Sequence, residues 1–323
     1  MDAPRNACRL RGEEVVYEGG RLVCLAVVQV TLMFFPDAYA LAGLHIVASV
    51  SALYILISQG ALPCRGQLCR LAWLGAWPMA LLQALQLLAA FKSLERASVL
   101  FVASWLALGA SWAPHAGGWR SKRGVPGHSL AILGLGTLAL GVDLVAGSRP
   151  SILAVAWLTL WLGLEVFRVA WREGWRPRAP STLGHALWAQ AEDAHAALDA
   201  MSATFIQHVE GLAPLLLMVV LRLDKNIFTI NQLTLPGMAW LLVSTTAWAA
   251  SATLSAARAS GARLLEGPAS LPGTLPLALG LVSWEAWHQR VDSVVPIIAT
   301  LASYIAASVA AGGEGGREPT SAM

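Results

Sequence analysis

The chain has 323 residues, of which 56% are hydrophobic and only 13% charged, with a net charge of +3 and a mean hydropathy of +0.60. Soluble domains carry about 25% charged residues, so this chain cannot clothe a water-facing surface, and a large soluble domain is excluded. Its 22 Lys and Arg cluster in loops, a pattern of membrane topology rather than nucleic-acid binding.

What remains is an all-α, polytopic membrane protein, because a helix satisfies its own backbone in lipid. Residues 1–20 are polar and mixed in charge, without the short basic lead into an apolar core that marks a signal peptide. They read as a cytosolic tail. A spanning helix needs about 20 mainly apolar residues. Ten stretches approach or reach that length: 22–35, 38–58, 71–90, 97–112, 130–145, 152–170, 200–223, 235–256, 271–284 and 291–311. The first, fifth and ninth are short. Pro36 ends the first, since proline cannot continue the backbone ladder. Pro78 and Pro214 fall inside stretches, where a bundle tolerates them. Residues 181–199 carry Glu192, Asp193, His195 and Asp199, too dense a charge for hydrocarbon, and read as an interfacial helical approach to the seventh stretch. Residues 312–323 are Gly, Glu, Pro and Ser rich and read as a disordered cytosolic tail.

Loop charge tests the count. With the N-terminus cytosolic and ten alternating crossings, sixteen of the Lys and Arg fall on the cytosolic side and six on the other, as the positive-inside rule requires. Both termini are then cytosolic. The four cysteines, Cys8, Cys24, Cys64 and Cys69, have no His/Cys cluster around them, so no metal is expected.

Charged and amide groups inside spans stand out, because a charge at mid-helix costs about 2.5–3.5 kcal/mol on insertion scales. Gln83 and Gln86 lie one turn apart and point the same way. They line a cavity, or they bond one helix to another. Lys92, Glu95 and Arg96 form the join of the third and fourth stretches. They are ordinary loop charges, or at cavity depth they are cations for a phosphate. Glu165 and Arg168 are three residues apart on one helical face; Glu165 faces a cavity or simply pairs with Arg168. Gln207, His208 and Glu210 open the seventh stretch before the apolar run 212–221, and His45 lies in the second.

Four places carry a resemblance to a known family. They are Phe35-Pro36 followed by 41–49 with His45; Trp77-Pro78 through Phe101, with Ser93-Leu94-Glu95-Arg96-Ala97-Ser98-Val99; the Gly-rich run Gly134, Gly136, Gly141 ending in Asp143-Leu144; and Phe205-Ile206-Gln207-His208 with Pro214 beyond. In these the chain resembles the drug/metabolite transporter superfamily, in its branch of nucleotide-sugar transporters and triose-phosphate translocators. It departs from that branch in lacking the Asn-Lys pair of the first helix, near Cys24-Leu25, and the Gly-Ala-Leu-Asn-Lys motif of GDP-mannose carriers, near 277–287.

The resemblance implies two inverted five-helix repeats, about 21–145 and 151–311, within one transmembrane domain over 21–311. It implies exchange of a nucleotide-sugar for a nucleoside monophosphate across a Golgi or ER membrane by alternating access. The two departures favour a UDP-sugar over GDP-mannose. Lys92 and Arg96 would hold phosphate; Gln83, Gln86, Gln207 and His208 the nucleoside or sugar; and Glu165 would add a polar wall. No cofactor and no covalent chemistry are implied, so the protein is not expected to be an enzyme. Its partners would be the lipid bilayer and the phosphorylated metabolite, and the fold admits a homodimer. Two alternatives stand beside it: a sugar-phosphate or other small-metabolite carrier of the same fold, and a non-transporting membrane scaffold.

Overall fold

A computed structural model describes residues 23–60, 70–117, 127–146, 150–172, 189–191, 193–194, 198, 200–222, 233–260, 298–299, 301–303 and 305–306. All regular structure among the described residues is helical. The helices are α1 (Val23–Phe34), α2 (Ala38–Ser58), α3 (Arg70–Leu94), α4 (Val99–Gly117), α5 (Gly127–Ala146), α6 (Ile152–Arg172), α7 (Ala200–Val220) and α8 (Leu235–Ser260). Four are long and apolar enough to cross a membrane, within Ala38–Ser58, Arg70–Leu94, Ile152–Trp171 and Ser202–Val220, and α1, α4 and α5 contain shorter apolar segments. The expected stretch 271–284 and both tails lie outside the described residues. Of 291–311, the helical residues 298–299, 301–303 and 305–306 are described.

The burial pattern is that of a protein in lipid. Large apolar side chains face outward, with Ile152 90% exposed, Val145 80% and Leu221 75%. Gln29, Thr31, His45, Ser49, Gln86, Ser104, Glu165, His208 and Ser244 are buried. A water-soluble protein would place these the other way round. Membrane helices pack through small residues and interhelical hydrogen bonds instead. On α3, Ala72, Ala76, Ala80 and Ala84 recur every fourth residue and are all fully buried.

Helix ends follow local chemistry. The α1 ladder stops before Pro36, and Asp37 caps α2, its Oδ1 accepting from the Tyr39 and Ala40 amides at 3.0 and 3.2 Å. Ser98 does the same for α4, taking the Phe101 amide at 3.2 Å. Because Ser98 starts that helix, α4 begins two residues later than the apolar stretch. The third helix runs past its apolar stretch, so that Lys92 lies in its last turn rather than in a loop. Pro78 and Pro214 are both inside helices, as expected.

The chain forms two compact units. One comprises residues 27–91 and 171–265; the other comprises 92–170 with 1–26 and 266–323. In the first unit α2 packs most extensively on α8 and α7. Helix directions there are set by contacts. Arg222, just after α7, reaches Asp37 before α2 at 3.7 Å and lies over the Tyr39 ring at 4.2 Å. Phe205, near the start of α7, packs on Leu53 near the end of α2. These helices are antiparallel. Ile206 packs on Ala72 and Ala76, and Gly211 lies at the Ala80 carbonyl and Ala84, so α7 runs parallel to α3. Gly237, early in α8, meets Phe34 at the end of α1. Ala194 and Leu198 pack with Trp73 around Ala72, Ala76 and Ile206.

In the second unit α4 packs on α5, and Trp105 of α4 donates its indole N–H to the Leu158 carbonyl of α6 at 3.1 Å. Gly109 of α4 sits where a Cβ would come within 2.9 Å of the Trp161 ring.

Candidate functional site

Four of the seven residues singled out from the sequence fall in the first unit: Gln83, Gln86, Gln207 and His208. The parallel course of α3 and α7 brings two of them together, with Gln83 Nε2 3.3 Å from His208 Nε2. The other ring nitrogen of His208, Nδ1, lies 2.8 Å from the Thr204 carbonyl. A carbonyl only accepts, so Nδ1 carries the hydrogen and, in the neutral ring, Nε2 accepts from the Gln83 amide. Gln86 is buried one turn further along α3, and Gln207 is half-buried beside His208. Glu210, two residues on, has a buried Oε2 with no hydrogen-bond partner. A carboxylate oxygen left this way inside an apolar helix is costly.

The other three residues fall in the second unit. Lys92 Nζ donates to both carboxylate oxygens of Glu95 at 2.8 Å. Arg96 is exposed in the turn that follows, its amide bonded to the Ser93 carbonyl at 3.0 Å. Glu165 is buried and paired with Arg168, whose Nε donates to Oε2 at 2.8 Å. The Glu165–Arg168 pair that the sequence offered as one reading is present.

Sequence reasoning missed one constellation. His45 of α2 is fully buried, with Nδ1 2.6 Å from the Leu41 carbonyl and Nε2 2.7 Å from the Ser244 hydroxyl of α8. Phe91 and Trp248 meet the His45 ring edge-on, at centroid distances of 5.1 and 5.4 Å, and meet each other at 5.2 Å. His45 was visible as a polar residue in an apolar span, but the sequence does not name a partner nearly two hundred positions away.

Among the described residues no group of three metal-ligating side chains gathers. A groove of about 620 Å³ along α5, lined by Trp112, Gly134, Thr137, Leu138 and Val145, is apolar and open outward. It offers nothing to a phosphate or a sugar. Where α3 meets α7, by contrast, the Gln83 amide and the His208 imidazole supply donors and acceptors.

No protein-family model matches the chain, and no curated protein is similar enough to count as a relative.

Proposed function

We propose that this protein is a multi-pass membrane transporter of a small polar metabolite. The cargo class is a nucleotide-sugar, with a UDP-sugar favoured, exchanged for a nucleoside monophosphate by alternating access in a Golgi or ER membrane. One observation carries the transporter reading: Gln83 and His208 meet inside apolar membrane helices, with Gln86, Gln207 and Glu210 within a turn of them. Buried polar groups in spans are expensive and mark pathways and sites. The cargo class rests on the family resemblance.

Two features support ten spans in two inverted five-helix repeats. In the first unit α7 runs with α3 and against α2, the directions that four crossings from α3 to α7 require. The units also draw on both halves of the chain. The second and third spans share a unit with the seventh and eighth, and the fourth and fifth share one with the tenth, whereas the first and sixth fall in different units. Topology is tested by labelling. Lys122→Cys is expected to react from the cytosolic side, and Lys225→Cys only after permeabilisation. Both reacting from one side would end the ten-span arrangement.

Cargo binding is tested by equilibrium binding of UDP-sugars to the purified protein. A neutral hydrogen bond contributes about 0.5–1.5 kcal/mol, a factor of roughly two to ten in affinity. Gln83→Ala is expected to weaken binding by that factor, and Gln207→Ala to change the preference among sugars more than the affinity. Arg96→Ala is expected to weaken UDP-sugar and UMP alike. Absence of both a nucleotide-dependent thermal shift at millimolar ligand and uptake into proteoliposomes would leave the scaffold reading.

The pairing of Lys92 with Glu95 favours a second reading, a carrier of the same fold whose cargo has no phosphate. The acceptor at Glu210 suits an amine or hydroxyl-rich cargo. In that case uptake is inhibited by such compounds and is indifferent to nucleotides.

A further inference from the structure

The buried histidines of α2 and α7 are built alike. Each gives Nδ1–H to the carbonyl four residues back in its own helix, Leu41 for His45 and Thr204 for His208. Each turns Nε2 to a side chain on another helix, Ser244 for His45 and Gln83 for His208. His45 to His208 is 163 residues, and Gln83 to Ser244 is 161. The same step of about half the chain therefore carries one histidine onto the other and one partner onto the other, and it reverses which half supplies the histidine. Asp199 precedes Ala200, the first residue of α7, as Asp37 precedes Ala38, the first of α2.

Their depths complete the relation. In the antiparallel α2/α7 pair, Arg222 lies beside Asp37, Val219 beside Gly43 and Phe205 against Leu53. His208 is then level with a residue about six positions beyond His45, which at 1.5 Å per residue separates the rings by about 10 Å along the axis. Gly211, where an added Cβ would come within 3.6 Å of Ile46, lies between those levels. One histidine thus sits on each side of the middle of the helix pair. The two contacts are not equally tight. The His45 contact is 2.7 Å and walled by Phe91 and Trp248, whereas the His208 contact is 3.3 Å and part-buried.

We infer that His45–Ser244 and His208–Gln83 are a matched pair of latches, one on each side of the middle of the α2/α7 pair, whose alternate release opens this unit to one side of the bilayer at a time. This use of the latches rests on the transport reading; their existence as separate closures does not. Each joins a helix of one half of the chain to a helix of the other. Release of either therefore parts α2 from α8, or α7 from α3, while the other pair stays joined.

The test is thiol labelling in sealed, oriented vesicles, with Cys8, Cys24, Cys64 and Cys69 replaced by Ser. Ser49→Cys reports below the His45 latch and Leu88→Cys, one turn beyond Gln83, below the His208 latch, both positions being buried. The probe is a membrane-impermeant methanethiosulfonate. Ser244→Ala is expected to raise labelling of the first reporter at least tenfold, from the face that holds Asp37 and Arg222 only. Gln83→Ala is expected to do so for the second reporter, from the opposite face only. Ser244→Thr, which keeps the hydroxyl, should label as the parent does. Unchanged labelling in both alanine variants, or opening to the same face, overturns the inference. Uptake of UDP-sugar in the same vesicles separates the two claims. Side-specific labelling without uptake keeps the latches and removes transport, and uptake with unchanged labelling does the reverse.

Discussion

Arg168→Met is expected to lower the stability of the protein by about 3–5 kcal/mol, the cost of leaving one member of a buried ion pair behind. Glu165 is 3% exposed in the middle of an apolar span, and Arg168 meets both of its carboxylate oxygens. Without the guanidinium, that carboxylate must take up a proton or draw water into the helix packing. Arg168→Met with Glu165→Gln should recover most of the loss, because removing both charges removes the desolvation cost together with the attraction. Thermal unfolding in detergent, followed by the fluorescence of the 14 tryptophans, reads both variants. A single variant as stable as the parent, or a double variant no better than the single, would show that the pair is not what makes Glu165 tolerable there.

Gly136→Leu should be more damaging than the same change at Gly134 or Gly141 of α5, at about 1–3 kcal/mol or more for overpacking. A Cβ at this position would come within 2.9 Å of the Ala306 Cβ and 3.0 Å of Leu108, with the Ser303 carbonyl at 3.5 Å. The Ala306 Cβ has no rotamer by which to retreat, so the backbone must move. At Gly134 and Gly141 on the same helix, a Cβ would meet nothing within 4 Å. Gly134→Leu should therefore be neutral, or stabilising by up to about 1 kcal/mol through helix propensity. The comparison is read as the difference in midpoint between the two variants, and equal midpoints would refute the close packing of α5 against the segment that carries Ala306.

Much of the bundle was legible in the sequence because lipid imposes simple rules. Eight of the ten expected spans coincide with helices of the described residues, and their ends differ by a few residues where a cap or a continuing ladder decides. Ser98 delays α4, and α3 continues through Lys92 because a helix end is fixed by hydrogen bonding and not by where the apolar run stops. The candidate site was legible as a set of residues but not as a set of contacts. Gln83, Gln86, Gln207 and His208 were found from the expense of polar groups in lipid. Glu165 was marked by the same reasoning and Lys92 by its place at the join of two spans, and the structure shows each paired with its own near neighbour, Arg168 and Glu95. Glu210 was noted as polar, but its unpartnered oxygen depends on the surroundings that packing creates.

By itself the sequence determined that this is a helical membrane protein, since a chain with so little charge and such long apolar stretches is stable in lipid as helices that satisfy their own backbone. It also determined which positions share a face of each helix, because a period of 3.6 residues is a property of the helix alone. Only the tertiary structure decided which faces meet. That Gln83 finds His208, and that His45 finds Ser244 between Phe91 and Trp248, follows from which helices lie side by side and at what height. Those choices come from the fit of small residues such as Gly211 against Ala80 and Ala84, where close packing between distant segments selects one arrangement from the many that helical periodicity allows.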